Sequence, residues 1–290
     1  MSKSASSHAA ALVSFGFVLL ILAVWQIATL PPLAPKYTPE QHEYAVLMGD
    51  LSEDGSNPLP AAKPSDFPTP SGFAVLAWDQ LSQPFYDNGP NDKGIGIQLG
   101  YSLLRVLAGY LLAVAVAVPL GYVIGMSPVL SKALNPFIQL LKPISPLAWM
   151  PIALYTIKDS NLSAIFVIFI CSLWPMLMNT AFGVANVRKD WINVAATLEV
   201  KPLRKAFKII LPAAAPAIVT GMRISMGIAW LVIVAAEMLV GGTGIGYFVW
   251  NQWNNLSLGN VVFAVLLIGV VGMLLDMSFG WLQKKVTYVE

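Results

Sequence analysis

Residues 193–212, NVAATLEVKPLRKAFKIILP, place four cations between two long apolar runs. On a helical repeat the cations of this stretch share one face and its apolar residues share another. The cations are Lys201, Arg204, Lys205 and Lys208. The apolar residues are Leu203, Phe207, Ile210 and Leu211. A basic amphipathic segment of this kind either lies on anionic lipid or presents its apolar face to a partner protein.

Proline divides this stretch into two parts. Because the residue before a proline avoids the helical region, Lys201 before Pro202 is predicted as a helix boundary. Ahead of that boundary, Val194, Ala195 and Leu198 form a smaller apolar stripe. The stretch therefore predicts a short helix, a turn and a second helix.

Five charged residues lie inside the long apolar runs: Arg105, Lys142, Arg223, Glu237 and Asp276. A charge at such a position is costly and is therefore a candidate for function or for ion pairing. Arg105, Lys142 and Glu237 are predicted near the ends of their runs, where long side chains can reach the interface. Arg223 is predicted about 15 Å deep, so it either lines a pathway or forms an ion pair. Asp276 lies at a depth that allows this pairing, and the structural pair is the favoured reading.

Proline interrupts the apolar stretch LLKPISPLAWMP, residues 140–151, three times. Backbone groups freed at membrane depth are tolerated only where they line a cavity or find protein partners, so this stretch predicts part of a pathway. Side chains there and on other helices could supply donors or apolar plugs, although each could equally be a packing residue. These pathway candidates are Trp149, Met150, Trp174, Met176, Asn179, Arg223 and Trp230.

The sequence lacks the residue patterns that nucleotide binding, metal binding or an intrachain disulfide would require. The sequence contains no G-x-x-x-x-G-K-[ST] phosphate loop, and GGTGIG at 241–246 follows an apolar run with the wrong spacing for nucleotide binding. His8 and His42 lie far apart, and the single Cys171 permits no intrachain disulfide. The sequence therefore predicts a chain that is not an enzyme and that binds no metal or cofactor itself.

The composition is that of an integral membrane protein. The 290 residues are 57% apolar and only 11% charged, against about 25% charged residues in ordinary soluble domains. A net charge of +2 gives no indication of nucleic-acid binding.

Six apolar runs are long enough to cross about 30 Å of hydrocarbon as helices. They cover residues 11–30, 103–125, 136–156, 162–184, 213–240 and 261–282. Lys and Arg are concentrated on the side that would carry both termini and the loop 186–212, which predicts that this side is cytoplasmic. We therefore expect an all-α polytopic membrane protein with six transmembrane helices.

The segments between these runs suggest three parts of the chain. Residues 1–30 form a cytoplasmic tail with the first transmembrane helix, 31–98 a proline-rich extracytoplasmic loop, and 99–290 a core of five helices. Within the loop, only residues 72–86, GFAVLAWDQLSQPFY, have the pattern of a short helix. The rest is either an ordered cap or a disordered spacer.

The opening stretch resembles the cytoplasmic loop of ABC importer permeases, whose pattern is Glu-Ala-Ala, three residues, Gly, and a basic amphipathic run that ends in Leu-Pro. The two aligned departures are Asn193 in place of the glutamate and Glu199 in place of the glycine. Because glycine permits a sharp turn, Glu199 predicts that the break has moved to Lys201 and Pro202 or that the turn is less tight. The resemblance implies that the loop is the coupling helix that contacts an ATPase subunit. The implied contact residues are Asn193, Val194, Ala195, Leu198, Glu199, Lys201, Pro202, Leu203, Phe207 and Pro212.

From Phe85 onward the chain resembles the nitrate permeases of the nitrate, sulfonate and bicarbonate group. The stretches that carry this resemblance are FYDNGPNDKGIGIQL, ISPLAWMPIALY, IFVIFICSLWPMLMNT and GIAWLVIVAAEMLVGGTGIGYFVWNQWNNL. It implies a type I ABC importer permease fold in the bacterial inner membrane. It also implies a homodimer, two cytoplasmic ATP-binding subunits that hold ATP and Mg, and an extracytoplasmic substrate-binding protein.

Three alternatives to a nitrate permease remain open on the sequence. The same machine could carry bicarbonate, cyanate, or sulfonate and taurine, because no residue distinguishes one small anion from another. A stand-alone secondary transporter or channel should show repeated halves and relays of buried acids, and the sequence shows neither. A passive membrane anchor would leave the proline-broken stretch and Arg223 without a purpose.

Overall fold

The computed structural model describes residues 3–29, 43, 44, 46–48 and 67–286. These residues are helical apart from turns and one isolated bridge between Asp87 and Lys93, which confirms the predicted all-α class. The helices are α1 Lys3–Ala28, α2 Pro70–Ser82, α3 Ile95–Met126, α4 Pro128–Leu141, α5 Pro146–Ile157, α6 Ser160–Ala185, α7 Lys189–Thr197, α8 Pro202–Val240, α9 Ile245–Asn254 and α10 Leu258–Val286.

Four helices of the described chain are long and apolar enough to cross a membrane: α3, α6, α8 and α10. They contain the predicted runs 103–125, 162–184, 213–240 and 261–282. In α1 the apolar part, Leu12–Ala28, is shorter. The helix predicted at 11–30 is therefore present, but the count of six spans is not confirmed.

The apolar run predicted at 136–156 is not one continuous helix, in agreement with the prediction that proline interrupts it. Two helices, α4 and α5, replace it and meet at 91°. Pro143 and Pro146 flank the break, and Ser145 caps α5 because its Oγ accepts a hydrogen bond from the Leu147 N–H at 3.3 Å. Pro151 lies inside α5 and does not interrupt it.

The described chain divides into two compact units. The first unit comprises Met1–Ser82 and Leu256–Phe263. In it, the Trp25 indole N–H donates to the carbonyl of Pro68 at 2.9 Å, and the ring packs against Phe67 and Phe73. The helix predicted over 72–86 begins at Pro70 and ends at Ser82. Most of the loop before it lies outside the described residues.

The second unit, Gln83–Asn255 with Ala264–Glu290, contains the main helical core. Its helices α3 and α6 run parallel, with three glycines of α3 against the backbone of α6. A Cβ added at Gly109, Gly121 or Gly125 would lie 2.5–2.7 Å from a carbonyl oxygen of α6. Gly121 and Gly125, in the sequence GYVIG, therefore allow the two helices to pack closely.

Helix α8 also packs on α6. Gly221 of α8 allows close approach, because an added Cβ would lie 2.7 Å from the Cβ of Asn179. Met176, Ile168 and Ile233 are fully buried in this core. Both α3 and α8 therefore pack on α6, which places α6 at the centre of the second unit.

Candidate functional site

The helix α7 is attached to the core by one face. Ile192 packs against a buried apolar cluster that includes Val184 and Ile210, and Ala195 is 2% exposed. Because this cluster contains Val184 of α6 and Ile210 of α8, the short helix is packed where those two helices meet, at one end of the unit. A displacement of α7 would therefore act directly on α6 and α8.

The turn after α7 is made by the glutamate that replaces the family's glycine. Glu199 has a φ of 48°, which is the left-handed region. The N–H of Glu199 donates to the Ala196 carbonyl, and the N–H of Val200 donates to the Ala195 carbonyl, each at 3.0 Å, in the pattern of a Schellman turn. The expectation that Glu199 moves or loosens the turn is therefore wrong: the turn stays at this position, and Pro202 begins the next helix.

Five exposed apolar side chains lie on α7, on the turn after it and on the first residues of α8. We call them the α7–α8 surface. They are Trp191, Val194, Leu198, Leu203 and Phe207, with exposures of 43–75%. The four apolar residues predicted to share one face of α8 are not equally exposed. Leu203 and Phe207 are exposed, whereas Ile210 is buried and Leu211 is half-buried. The cause is a π-helical turn at Ala206–Ile210, which changes the register of the helix face.

The remaining coupling candidates border this surface. Asn193, Lys201, Pro202 and Pro212 are exposed, and the Asn193 carbonyl accepts a hydrogen bond from the hydroxyl of Thr197. The predicted contact residues are thus brought together on one side of the unit, apart from the buried Ala195. Their role in binding an ATPase stays a prediction.

The pathway candidates are dispersed over α5, α6 and α8. Met150, Met176 and Trp230 are buried, and Trp149, Trp174 and Asn179 are half-buried. Two of the predicted donors are already used: the Trp230 indole N–H donates to the Ile268 carbonyl at 2.9 Å, and the Asn179 amide donates to the Pro175 carbonyl at 2.8 Å. These two bonds favour a packing role for both residues.

At the other end of α3 and α8, Arg105 and Glu237 form a buried ion pair. Their closest atoms, Nη1 and Oε1, are 2.6 Å apart, and the side chains are 12% and 2% exposed. Arg105 also donates to Asn161 of α6 and to the Thr243 carbonyl. Arg105, predicted to reach the interface, is instead paired inside the protein, and Glu237, predicted near the end of its run, is its partner.

This ion pair belongs to a set of side chains that bind the glycine-rich segment before α9. The N–H groups of Gly244, Ile245 and Gly246 donate to the side chains of Gln98, Ser102 and Glu237, respectively. Backbone N–H groups in the first turn of a helix have no partner within the helix. The side chains of α3 and α8 supply these partners, so GGTGIG is a structural junction.

Sequence reasoning missed this junction, although a signal was present. Gln98, Ser102 and Arg105 are spaced i, i+4 and i+7 on α3, which aligns three polar side chains on one face of an apolar helix. Such a polar row in a membrane helix indicates partners within the protein. The partner segment could not be identified, because Glu237 is distant in sequence.

A turn before α3 is attached to α9. Asn91 accepts a hydrogen bond from the Tyr247 hydroxyl at 2.8 Å and another from the Asn251 amide at 3.2 Å. Within the turn, the Lys93 ammonium donates to the Asp87 carboxylate and lowers the pKa of Asp87. The turn and α9 therefore form one exposed polar surface at this end of the unit.

The predicted pair between Arg223 and Asp276 is confirmed. Arg223 Nε and Nη2 donate to the two oxygens of Asp276 at 2.7 and 2.5 Å. The pair is not deeply buried, because the side chains are 38% and 54% exposed. Arg223 Nη1 also donates to Gln283, one residue before Lys284, so the guanidinium lies near the basic end of α10.

A family model described as "Binding-protein-dependent transport system inner membrane component" matches residues 117–288, more than half of the chain. The chain belongs to this family. This binding-protein-dependent permease is therefore a multi-pass membrane subunit of the ABC transporter class.

Two curated relatives of this permease are named for different anions. The nitrate import permease protein NrtB of Synechocystis sp. is 43% identical over 226 residues, which cover 78% of this chain and 82% of the relative. The bicarbonate transport system permease protein CmpB of the same organism is 46% identical over 207 residues, which cover 71% and 74%.

A solved structure supports the fold of the permease. An inward-facing form of the MetNI methionine ABC transporter matches with a TM-score of 0.57 at 15% identity, and the match covers 65% of this chain and 94% of the other. The all-α fold is therefore that of a type I ABC importer permease, as the sequence predicted.

Proposed function

We propose that this chain is the permease subunit of an ATP-driven importer for nitrate. The observation that carries the substrate assignment is the 43% identity to a nitrate import permease over 226 residues. The geometric support for an ATP-driven mechanism is the α7–α8 surface, whose exposed apolar side chains lie on α7, on the turn after it and on the start of α8, next to the buried cluster of α6 and α8. Clustered apolar side chains of this kind are more stable when a protein partner covers them than when they face water.

In this proposal the permease functions with other chains. Two copies of the permease enclose the pathway, two ATP-binding subunits on the cytoplasmic side hold ATP and Mg, and an extracytoplasmic binding protein delivers the anion. The complex lies in the bacterial inner membrane with both permease termini in the cytoplasm. The permease itself carries out no catalysis.

The proposed mechanism transmits force from the α7–α8 surface to the long helices. The ATP-binding subunit moves α7, and the packing of Ile192 transmits the movement to the buried cluster, which includes Val184 of α6 and Ile210 of α8. These helices carry most of the pathway candidates, so their displacement changes access to the anion path. Hydrogen-bond donors and positive potential then favour a small anion along that path.

The substrate is tested by uptake. We expect proteoliposomes that contain the permease, its ATP-binding subunits and its binding protein to accumulate labelled nitrate when ATP is enclosed. An excess of unlabelled nitrate should abolish the signal, whereas an equal excess of bicarbonate should leave it unchanged. Absence of nitrate accumulation together with clear bicarbonate uptake would refute the nitrate assignment.

Bicarbonate is the second candidate substrate. The relative named for bicarbonate transport has a slightly higher identity, 46%, over a shorter match. The same uptake assay decides between the two ions, because both assignments share the partners and the mechanism.

A further inference from the structure

A groove between α8 and the last turns of α10 combines cations with an apolar floor. It is a cavity of about 820 Å³, within the range of about 300 to 1,000 Å³ that is usual for small-molecule sites. Arg223, Asp276, Gly280, Trp281 and Lys284 are among its lining residues. Helices α8 and α10 run antiparallel, because Gln283 bonds to Thr220 whereas Ile268 bonds to Trp230, so the last turns of α10 point toward the end of the unit that carries α7.

The guanidinium of Arg223 is held in place but retains free donors. Arginine has five N–H donors, and three of them bond to Asp276 and Gln283. The Gln283 amide in turn donates to the Thr220 hydroxyl at 3.0 Å, and that hydroxyl donates to the Pro216 carbonyl. Two N–H donors of an oriented guanidinium are therefore left for a ligand, a geometry that suits phosphate oxygens.

The charges around Arg223 favour an anion. Asp276 neutralises the charge of Arg223. Lys284 lines the same cavity and Lys285 follows it in the last turn of α10, so the cavity keeps an excess of positive charge. The Lys285 ammonium lies 3.6 Å from the centre of the Trp281 ring. A tryptophan beside lysines is the arrangement that proteins place at the level of lipid head groups.

An exposed apolar stripe leads from the cavity along α10. Its members are Val270, Leu274, Met277 and Trp281, with exposures of 48–61%. Their spacing of four, three and four residues places them on one helix face. A free phosphate or a transported ion would make no use of this stripe, whereas acyl chains would cover it.

We propose that this groove binds the phosphate head group of an anionic phospholipid, with the acyl chains along the α10 stripe. Arg223 donates hydrogen bonds to the phosphate, and Lys284 and Lys285 supply further positive potential. The lipid comes from the membrane leaflet on the α7 side, which is the cytoplasmic leaflet in the orientation proposed above. Such a lipid would brace α10 against α8 near the end where the ATP-binding subunits are proposed to act.

Native mass spectrometry of the purified full-length permease complex tests this proposal. The complex is taken from bilayer discs that contain equal amounts of phosphatidylglycerol and phosphatidylcholine. We expect the wild-type complex to retain phosphatidylglycerol selectively. Each cation near a membrane surface contributes about 1 kcal/mol, so we expect retention to fall about fivefold in Lys284→Gln and further when Lys285→Gln is added.

A paired substitution examines Arg223 without leaving a lone charge. Arg223→Gln combined with Asp276→Asn removes both charges and keeps the approximate side-chain shapes. Selective retention should be lost in this variant as well. Lys189→Gln is the matched control, because Lys189 is an exposed cation on the same side that does not line the cavity, and its retention should equal that of the wild type.

Three results would overturn the proposal. The first is equal phosphatidylglycerol retention in the wild type and in the Arg223→Gln/Asp276→Asn and Lys284→Gln variants. The second is displacement of the lipid by millimolar nitrate or inorganic phosphate, which would assign the groove to a free ion. The third is cross-linking between copies through Trp281→Cys in a Cys171→Ser background, which would show that a second chain covers the groove. None of these readouts depends on which anion is transported.

Discussion

At the residue scale, Glu199 has a conformation that favours glycine. A left-handed backbone costs a residue with a side chain about 1 to 2 kcal/mol per residue, and the hydrogen bonds of the turn keep Glu199 there despite this cost. The strain is thus maintained by the packing of α7 on one side and by Pro202 on the other.

We expect Glu199→Gly to raise the free energy of unfolding by about 1 kcal/mol. The reason is that glycine adopts a positive φ without steric cost. Thermal unfolding of the purified permease in detergent measures the effect. Glu199→Ala serves as the control, because alanine keeps the Cβ and should give no increase; an equal increase for both variants would contradict the strain argument.

The buried pair of Arg105 and Glu237 provides a second prediction at this scale. Removing one member of a buried pair leaves an uncompensated charge, so Glu237→Gln should lower the free energy of unfolding by about 3 to 5 kcal/mol. The double variant Arg105→Gln/Glu237→Gln should recover part of the loss. Thermal unfolding again provides the measurement.

The exposed pair of Arg188 and Asp190 is the control for this prediction. Its closest atoms are 3.7 Å apart, and its side chains are 56% and 77% exposed. Exposed pairs contribute about 0 to 1 kcal/mol, so Asp190→Asn should have little effect. A loss as large as that of Glu237→Gln would show that burial is not the cause.

At the scale of elements, the contact between α3 and α6 depends on glycine. We expect Gly121→Ala to destabilise the permease by about 1 to 3 kcal/mol, because the new methyl group would lie 2.7 Å from the Leu177 carbonyl oxygen and 2.8 Å from the Cβ of Thr180. Gly100→Ala on the same helix is the matched control, since an added Cβ there meets nothing within 4 Å.

The control should be neutral or stabilising, by up to about 1 kcal/mol, because alanine is the better helix former. Thermal unfolding of both variants in the same detergent compares them directly. If both substitutions had the same effect, helix propensity and not packing against α6 would explain the result.

The α7–α8 surface leads to a second prediction about elements. Leu203→Asp or Phe207→Asp should reduce ATP-dependent transport about tenfold or more, because losing an apolar contact at the centre of an interface costs about 2 kcal/mol or more. Membrane insertion should remain intact, since both side chains are exposed in the permease. Transport assays combined with membrane fractionation measure the two properties.

Leu256→Asp is the control for this surface. Leu256 is 84% exposed and lies in the turn between α9 and α10, outside α7 and α8. Transport should be unaffected by this change. If Leu203→Asp and Phe207→Asp also transported normally, α7 would be better explained as a basic helix on anionic lipid.

At the scale of the whole molecule, the proposal requires a separate motor. We expect permease alone in liposomes to give no nitrate flux, whereas permease with its ATP-binding subunits and binding protein should accumulate nitrate only when ATP is present. The physical reason is that net accumulation against a gradient needs a free-energy source, and the sequence contains no phosphate-binding loop. Radiolabelled uptake with and without each subunit provides the measurement. Flux through the permease alone would favour a secondary transporter or channel.

The sequence by itself determined the features that depend on local pattern. Apolar runs located the long helices α3, α6, α8 and α10 to within a few residues, apart from the earlier starts of α3 and α8, because length and hydrophobicity decide which segments can span a bilayer. The amphipathic stretch at 193–212 fixed the helix and turn at α7, since proline and side-chain periodicity act over a few residues. The ion pair of Arg223 and Asp276 was also predictable, because a charge at such a position needs a partner.

Only the tertiary structure decided which distant residues meet. It brought Glu237 to Arg105, Ser102 and the glycine-rich segment, and it kept the turn at Glu199 although the residue type favoured a different break. It also placed Arg223 beside the basic end of α10. These outcomes depend on contacts between segments that are far apart in the chain, where the energy of packing and hydrogen bonding exceeds the local preference of any one residue.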